Sequence, residues 1–308
     1  MKKRYPITVL AGPCIPWTEN NEVDEPSLRR EIKQEVDNGI TSMYFFGTAG
    51  EGYALTREKF TEITRIILDE CAKYPGVEPM IGVISTSMPE MIERIGIAHE
   101  LGAHDFQVAL PCWGSLSPAE VRLFWREICG RFPDCRFMAY NNLPRTKTAV
   151  SVSEYVKIGD ENPNFVAVKY SCSDIYQLYN IATANSELSF YVVDNGYLCA
   201  SMFGQVGLIS SFICLDSNAV WDFFNAGQNG DFETLKKTAR LLFELNKAYA
   251  CVESDLIDAA FDKSSVSVFD PDFSYRLHPP YSGLSKDEFD QMAAVTKETL
   301  RKYKAGEL

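Results

Sequence analysis

Short apolar runs alternate with amphipathic segments along the first two-thirds of the chain. The apolar runs are rich in β-branched and aromatic residues and occupy positions 7–12, 41–47, 79–84, 106–110, 136–140, 165–170, 190–194 and 206–212. The segments between them, such as 57–74 and 88–102, carry apolar residues at helical spacing. Eight strands that alternate with helices predict an α/β fold with a parallel sheet. The count of eight favours a closed (β/α)8 TIM barrel over an open sheet.

The last third of the chain has a different pattern. From about residue 217 the segments read as helices without intervening strands, apart from one loop rich in Pro and Tyr. We therefore expect a barrel that carries the active site over residues 1–216 and a C-terminal helical extension over residues 217–308. No stretch resembles a linker, so we expect the extension to pack on the barrel.

Composition and charge exclude several classes of function. Lys and Arg total 30 against 42 Asp and Glu, and the formal net charge of −12 argues against nucleic-acid binding. No apolar stretch approaches the roughly 20 residues needed to cross a membrane. The basic N-terminus leads into a short apolar run interrupted by Pro and Gly, which we interpret as a strand rather than a signal peptide. Nine cysteines without a C-x-x-C pair predict reduced thiols in a cytoplasmic protein.

The sequence contains no pattern typical of a metal or nucleotide site. The three histidines, His99, His104 and His278, do not stand at metal-ligand spacing. The stretch "GTAGEG" at 47–52 lacks both the G-x-G-x-x-G order and the lysine of a phosphate-binding loop. We therefore expect neither a metal nor another cofactor.

Lys169 ends an apolar run, 165–168, and a polar Ser/Cys/Ser/Asp stretch follows it. In barrels of this kind the active site gathers at the C-terminal ends of the strands, which makes this lysine a catalytic candidate. Burial would lower the pKa of its ammonium and expose a neutral amine able to attack a carbonyl and form a Schiff base. The alternative is a lysine that pairs with a carboxylate at the barrel mouth.

Two other strand ends support the covalent role. Tyr140 ends the preceding strand, where it could exchange the proton that a Schiff-base cycle requires, although an isolated tyrosine there would more often be a core residue. The stretch "GTAGE" at 47–51 offers Thr48 as a hydroxyl partner for Tyr140, and its backbone N–H groups suit a small carboxylate. The same glycines would also be expected in a simple strand-to-helix turn.

Across residues 5–215 the sequence resembles the dihydrodipicolinate synthase/N-acetylneuraminate lyase superfamily of class I, Schiff-base-forming aldolases. "GTAGE" is similar to the family's G-[TS]-T-G-E, "YNN" to its Tyr-Asn turn and "VAVKY" to its lysine strand, in matching order and spacing. The resemblance implies that Lys169 forms an imine with pyruvate or another 2-oxo acid. It also implies that Tyr140 shuttles the proton and that Thr48, with the residue at position 49, holds the carboxylate.

The same resemblance implies the partners. They are a small-molecule 2-oxo acid, an aldehyde, and other copies of the chain in a homo-oligomer, dimer or tetramer. The segment 111–117 would lie near the subunit contact. No cofactor beyond the lysine imine is implied.

Two positions depart from the family pattern. Ala49 replaces the second threonine of the carboxylate-binding motif, so that only its backbone N–H could serve. Trp113 stands where the synthases and sialic acid lyases have a tyrosine that crosses from a neighbouring subunit, and an indole N–H can only donate. These departures argue against strict dihydrodipicolinate synthase activity. They also leave open a catalytically silent paralogue that only binds a 2-oxo acid.

The expected substrate-binding residues resemble different branches of the family. Trp113, Asn142 and Tyr170 look like the hydratase-aldolases, which cleave benzylidenepyruvate-type compounds to an aromatic aldehyde and pyruvate. In that branch Trp113 would line the substrate, and Asn142 would orient its carbonyl or the attacking water. Arg145 stands five residues after the tyrosine, as in the synthases, where an arginine meets the carboxylate of the second substrate. An exposed loop charge is the alternative reading of Arg145.

A third set of residues looks like the sialic acid lyases. The stretch after the lysine, which includes Ser171, resembles those enzymes, and Asp194 and Asn195 fall where they hold sugar hydroxyls. Ser211, after the last strand, completes the expected substrate-binding set. We expect a pyruvate-linked lyase of hydratase-aldolase type. The alternatives are a lyase of N-acetylneuraminate or a 2-oxo-3-deoxy sugar acid, a dihydrodipicolinate synthase, and the silent paralogue.

Overall fold

The computed structural model describes residues 2–252 and 255–308, and its centre is a closed barrel of eight parallel strands. Each strand pairs with its sequence neighbours, and the last strand pairs with the first, so the predicted TIM barrel is confirmed. The strands are β1 Val9–Ala11, β2 Ser42–Phe45, β3 Glu78–Val83, β4 Asp105–Ala109, β5 Arg136–Asn141, β6 Phe165–Tyr170, β7 Ser189–Val193 and β8 Gly207–Ile209.

Twelve helices surround the barrel in the described residues. They are α1 Glu25–Asp37, α2 Arg57–Cys71, α3 Met88–Glu100, α4 Pro118–Arg131, α5 Leu143–Thr146, α6 Val152–Glu161, α7 Ile175–Ala182, α8 Asp194–Ala200, α9 Ser217–Asn229, α10 Phe232–Ala250, α11 Asp258–Ser267 and α12 Lys286–Lys304. By connectivity α9 supplies the helix of the eighth β/α unit, although it lies beyond residue 216. None of the helices built from described residues has the length and apolar character of a membrane span.

Alternation along the strands divides the core into two layers. On β2, Tyr44 belongs to a cluster inside the barrel, whereas Met43 and Phe45 join the larger cluster between strands and helices. This division follows from the two-residue period of a strand, which sends successive side chains to opposite faces. Residues at even positions of β2 therefore point into the barrel. Because all eight strands run parallel, their C-terminal ends lie together at one mouth of the barrel.

Local signals in the sequence set several helix boundaries. Ser117 and Glu120 form a reciprocal capping box at the start of α4. Ser87 caps α3 by accepting from the N–H of Glu90. The Glu90 carboxylate accepts from Ser85 and Arg94 instead of the Ser87 N–H, so α3 has a simple cap and not a reciprocal capping box. The chain leaves α3 at Gly102, whose φ of 104° favours glycine.

The C-terminal extension reaches the barrel mouth. Helix α11 inserts Lys263 against Glu51, which follows β2, and both side chains are fully buried. The loop after α11 brings His278 to the same carboxylate, which accepts the His278 backbone N–H at 2.7 Å. The barrel and the extension therefore share a buried polar network at the catalytic end of the strands.

Helix α1 buries two carboxyl groups, Glu31 and Glu35, against the barrel. Burial raises the pKa of Glu31 to about 8, with Asp270 adding to the effect. Burial also raises the pKa of Glu35 well above its ordinary value, and Glu31 contributes in the same direction. Neither carboxyl forms a salt bridge within the described residues, so burial shifts both groups toward their neutral, protonated form.

This burial predicts that stability falls as pH rises. Between the ordinary value of 4.5 and about 8, the folded chain keeps a proton on Glu31 that the unfolded chain has lost. The free energy of unfolding should therefore decrease by up to about 1.4 kcal/mol per pH unit for such a carboxyl. Glu31→Gln keeps the shape without the titration, so its free energy of unfolding, measured with denaturant from pH 5 to 8, should fall less steeply.

The control is Asp37→Asn, which alters an exposed carboxylate at the end of the same helix. Its pH dependence should match that of the wild type. Equal slopes for wild type and Glu31→Gln would contradict the buried, protonated state of Glu31.

Candidate active site

Lys169 lies near the end of β6, inside the barrel and almost fully buried. Its Nζ donates a hydrogen bond to the Tyr44 hydroxyl at 2.7 Å. The ammonium also lies 4.6 Å from the centre of the Tyr44 ring and 4.5 Å from that of Tyr140. Two tyrosines therefore enclose the amine, one from β2 and one from the adjacent strand β5. No carboxylate forms a salt bridge with Lys169 in the described residues.

A chain of hydroxyl and amide groups begins at Tyr140. The Tyr140 and Thr48 hydroxyls are 3.0 Å apart, and either can be the donor. The Asn142 amide donates to the Tyr140 hydroxyl at 3.4 Å. Register explains the placement, because Tyr140 stands directly opposite Lys169 in the β5–β6 pair. The fold thus brings together Lys169, Tyr140, Thr48 and Asn142, all four of which the sequence nominated.

The protonation of this group differs from the expectation. Burial lowers the pKa of Lys169, as anticipated, but Tyr140 and Tyr44 together raise it above the ordinary lysine value. The expected fall in the lysine pKa is therefore wrong. Burial alone would raise the pKa of Tyr140, yet Lys169, Thr48 and Asn142 lower it below its ordinary value. A cationic lysine and an acidified phenol stabilise each other in a water-poor site.

Tyr44 is a site residue that the sequence analysis missed. Its ring fits only because the neighbouring backbone lacks side chains: a Cβ on Gly12 would lie 2.9 Å from the ring, and one on Gly47 only 2.5 Å. Burial raises the pKa of the Tyr44 phenol, partly offset by Lys169, so this hydroxyl keeps its proton. The available signal was its position in β2, four residues before Thr48 and on the inward face.

The turn after β2 presents backbone donors to the mouth. In the described part of the chain, the N–H groups of Thr48, Ala49 and Gly50 have no hydrogen-bond partner. Glu51 closes the turn with a φ of 48° and buries its carboxylate beneath it. That carboxylate accepts from the indole of Trp17 at 2.6 Å. The turn is therefore rigid, and its unpaired donors suit a small anion.

One cavity, which we call the mouth cavity, opens beside Thr48 and Tyr140. Its wall is mostly apolar and includes Ile84, Ala109, Leu110, Ile257, Pro279 and Pro280. Tyr53 and Tyr281 meet edge to face in this wall, with ring centres 5.2 Å apart. The Tyr53 hydroxyl is buried and has no partner in the described residues.

Arg145 and Trp113 differ in their relation to this cavity. Arg145 lines it, and its guanidinium forms an ion pair with Asp258 of α11. Trp113 is 87% exposed and does not line it. Within one chain, Trp113 therefore contributes no wall to the site.

The opposite side of Lys169 is polar and acidic. Burial raises the pKa of Asp194 to about 7, with the Ser210 hydroxyl opposing the shift, and its Oδ1 has no partner in the described residues. Burial raises the pKa of Asp262 to about 6, with Asp258 adding and with Ser211 and Lys169 opposing. A second cavity on this side touches Asp262, Ser211, Ala49, Glu31 and Glu35.

The remaining nominated residues are more peripheral. Asn195 is exposed in the first turn of α8, where its side chain accepts from the Gly196 N–H at 2.8 Å. Ser171 is half-buried just after β6 and lines a separate surface pocket. Their substrate-binding roles stay predictions. All nine cysteines are free thiols.

Comparison with known proteins identifies the family. The profile of the Dihydrodipicolinate synthetase family matches residues 6–299. A 4-hydroxy-tetrahydrodipicolinate synthase of Campylobacter hominis is 24% identical over 93% of this chain and 93% of that protein. An N-acetylneuraminate lyase of Clostridium perfringens is 22% identical over 94% of this chain and 96% of its own length.

Solved structures agree with the fold. YagE, a prophage protein of Escherichia coli K12 in the dihydrodipicolinic acid synthase family that was crystallised with pyruvate, superposes with a TM-score of 0.86. It is 18% identical, and the match covers 96% of this chain and 98% of YagE. CdNal from Clostridium difficile, crystallised with mannosamine, gives a TM-score of 0.81 at 18% identity, over 96% of this chain and 98% of CdNal. With the profile match along nearly the whole chain, these findings establish that the protein belongs to the dihydrodipicolinate synthetase family and is a lyase of that family.

Proposed function

We propose that this chain is a class I lyase that makes or breaks a carbon–carbon bond through a Schiff base between Lys169 and a 2-oxo acid such as pyruvate. The observation that carries the proposal is the buried amine enclosed by two tyrosines, one of which belongs to a hydroxyl chain. An amine in that setting has a phenol on each side and no salt-bridged carboxylate among the described residues. Such a lysine is placed for proton exchange with phenols rather than for a structural ion pair.

The first step needs a neutral amine. Tyr140 is the available acceptor for the lysine proton, because its lowered pKa favours the phenolate form, whereas the raised pKa of Tyr44 keeps that phenol protonated. Tyr44 instead orients Nζ through the 2.7 Å hydrogen bond. The amine of Lys169 then attacks C2 of the oxo acid. The carbonyl oxygen accepts two protons and leaves as water, and a C=N⁺ bond joins C2 to Nζ.

The second step uses the electron demand of the iminium. In the cleavage direction the C3–C4 bond breaks, its electron pair forms an enamine, and the former C4 hydroxyl gives up its proton as the aldehyde is released. In the synthetic direction the enamine attacks the aldehyde carbonyl, whose oxygen takes a proton. Tyr140 holds that proton in both directions, with Thr48 and Asn142 fixing its hydroxyl. The unpaired N–H groups of the turn 48–50 would bind the carboxylate of the 2-oxo acid.

For the aldehyde, we infer an apolar or aromatic compound, as in a hydratase-aldolase. The mouth cavity adjoins Tyr140, and the Tyr53–Tyr281 pair with its aliphatic neighbours would pack against a flat ring. These residues take the part that the sequence analysis gave to Trp113. The ion pair of Arg145 with Asp258 reduces its ability to bind a second substrate carboxylate, which argues against synthase activity.

A sugar-acid lyase is the second candidate. Asp194 has a buried, unpaired oxygen on the polar side of the site, which would bind a sugar hydroxyl. The 22% identical relative of Clostridium perfringens carries the name N-acetylneuraminate lyase.

Self-association also stays a prediction for this chain. The exposure of Trp113 supports it, because a large exposed aromatic side chain is typical of subunit contacts.

The Schiff base is tested by trapping. Borohydride added with pyruvate should reduce the imine and fix a pyruvate adduct on Lys169, which peptide mass spectrometry will locate. Lys263, which is also buried, is an internal control and should stay unmodified because Glu51 holds its ammonium. Lys169→Ala should abolish the adduct. An unlabelled wild-type protein would refute the proposal and favour the silent 2-oxo-acid-binding paralogue.

The proton role of Tyr140 has a separate signature. Tyr140→Phe should reduce turnover by roughly 10²-fold or more while the trapped adduct still forms, because solvent can remove the lysine proton during a long trapping reaction, whereas every turnover needs the phenol for proton transfer at the aldehyde oxygen. Thr48→Val should lose less, since it orients Tyr140. The matched control is Tyr155→Phe, a buried tyrosine of the outer core layer. Unchanged turnover in Tyr140→Phe would reduce Tyr140 to a packing residue.

Substrate class is tested with pyruvate and a panel of aromatic, sugar-derived and aspartate-semialdehyde acceptors. The aromatic acceptors should give the highest kcat/KM, and Tyr281→Ala should lower it about 10- to 200-fold, the range of an apolar contact. Tyr176→Ala, at an exposed tyrosine on α7, is the control. A preference for sugar-derived aldehydes that Asp194→Asn abolishes and Tyr281→Ala leaves intact would instead favour the sugar-acid lyase.

A further inference from the structure

Four metal-ligating side chains meet at the end of the barrel opposite the catalytic mouth. His99 lies in the last turn of α3, and His104 immediately precedes β4. Asp134 and Cys135 immediately precede β5, the strand that pairs with β4. The sequence analysis set these histidines aside because their spacing along the chain is not that of a metal motif. The fold joins them to a distant Asp-Cys pair.

The donor atoms are close enough to share one ion. One nitrogen of each histidine, a carboxylate oxygen of Asp134 and the Cys135 sulfur all lie within 4.8 Å of one another. His99 Nε2 is 2.9 Å from the Asp134 oxygen, and His104 Nδ1 is 3.9 Å from the same oxygen. Around a tetrahedral ion with bonds of about 2.0–2.3 Å, neighbouring donors are about 3.3–3.8 Å apart. No pair of donors therefore needs to close by more than about 1.0–1.5 Å.

The backbone that carries these side chains is held in place. The His104 carbonyl accepts the Arg136 N–H at 2.7 Å, which ties the start of β4 to the start of β5. The Asn164 amide donates to the carbonyls of Phe132 and Cys135 at 3.0 and 3.1 Å, which fixes the loop before β5. A ligand set on a fixed frame loses little conformational entropy when it binds an ion.

The nearest cation does not compete for the cluster. Arg136 follows Cys135 in the chain, but its guanidinium forms salt bridges with Asp105 and Glu78. The Cys135 side chain is buried beneath the cluster, whereas His104 is mostly exposed. An ion could therefore enter from solvent on the side of His104 and meet the thiol at the bottom of the site.

We propose that His99, His104, Asp134 and Cys135 form a binding site for a divalent transition-metal ion, with Zn²⁺ the best match. Two imidazoles, one thiolate and one carboxylate form a set of borderline and soft donors that favours Zn²⁺ over Mg²⁺ or Ca²⁺. All four tetrahedral positions are filled by protein, as in structural rather than catalytic zinc sites. The bound ion would link the end of α3 to the starts of β4 and β5. Without an ion, these side chains would make the His99–Asp134 hydrogen bond, the longer His104–Asp134 contact and the core packing of Cys135.

The test uses the full chain, stripped of metal with a chelator and kept in a reducing buffer. Elemental analysis after Zn²⁺ loading should give one ion per chain. Co²⁺ should produce a thiolate-to-metal charge-transfer band in the near ultraviolet. The thermal unfolding midpoint should rise with Zn²⁺, because an ion that binds only the folded chain stabilises it.

Variants distinguish this site from adventitious binding. Cys135→Ser should remove the Co²⁺ band. His104 is exposed, so His104→Gln should leave the fold intact. This variant should weaken Zn²⁺ binding by at least the roughly 10- to 100-fold that is typical of losing an outer-sphere partner. His278→Gln and Cys199→Ser, which lie outside the cluster, should bind like the wild type. Circular dichroism checks that each variant is folded. A stoichiometry below one in the wild type, or equal losses in cluster and control variants, would overturn the proposal.

Discussion

A buried ion pair between Glu51 and Lys263 holds the catalytic end of this barrel together. Both side chains are inaccessible to solvent, and the same carboxylate also accepts from Trp17 and from the His278 backbone. The N-terminal loop, the turn after β2 and the C-terminal extension thus converge on one charge. Removing one partner of such a pair typically costs about 3–5 kcal/mol, because the other is left buried without compensation. The position of Thr48, three residues before Glu51, depends on this contact.

The proton chemistry of the site rests on a second constraint, the crowding of two phenols around one amine. Tyr140 and Tyr44 come from different strands, and they contact the Lys169 amine differently. Nζ donates a hydrogen bond to the Tyr44 hydroxyl and lies over the ring of Tyr140. Tyr140 is acidified and bonded to Thr48, whereas Tyr44 stays protonated and accepts from Nζ. The family resemblance implies a relay tyrosine from a neighbouring subunit at the position where this chain has Trp113. Here the second phenol near the amine belongs to the same chain.

The sequence was enough to predict the architecture and the centre of the site, because both follow from short-range periodicity. All eight strands were visible as apolar runs, and strand ends at one face of a barrel must meet, which brought Lys169, Tyr140 and Thr48 together. The pKa of Lys169 and the role of Tyr44 were not predicted correctly, because both depend on contacts across the barrel. The pKa of Lys169 is set by neighbours from β2 and β5, and burial alone gave the wrong direction. Tyr44 reaches the amine only because Gly12 and Gly47 leave room for its ring.

The origin of the mouth-cavity wall has an evolutionary consequence. Lys169, Tyr140 and Thr48 stand on barrel strands and on the turn after β2, whereas Pro279, Pro280 and Tyr281 come from the loop after α11. Part of the cavity wall is thus encoded in a stretch of the chain separate from Lys169 and Tyr140, while Ile84 and Leu110 of the barrel complete it. Under the proposed function, mutations in the loop would change which aldehyde fits without moving Lys169, so new substrates could arise while the reaction is retained. Within the extension this freedom belongs to the loop around Tyr281, which is exposed, rather than to the flanking helices, whose apolar residues are part of the core.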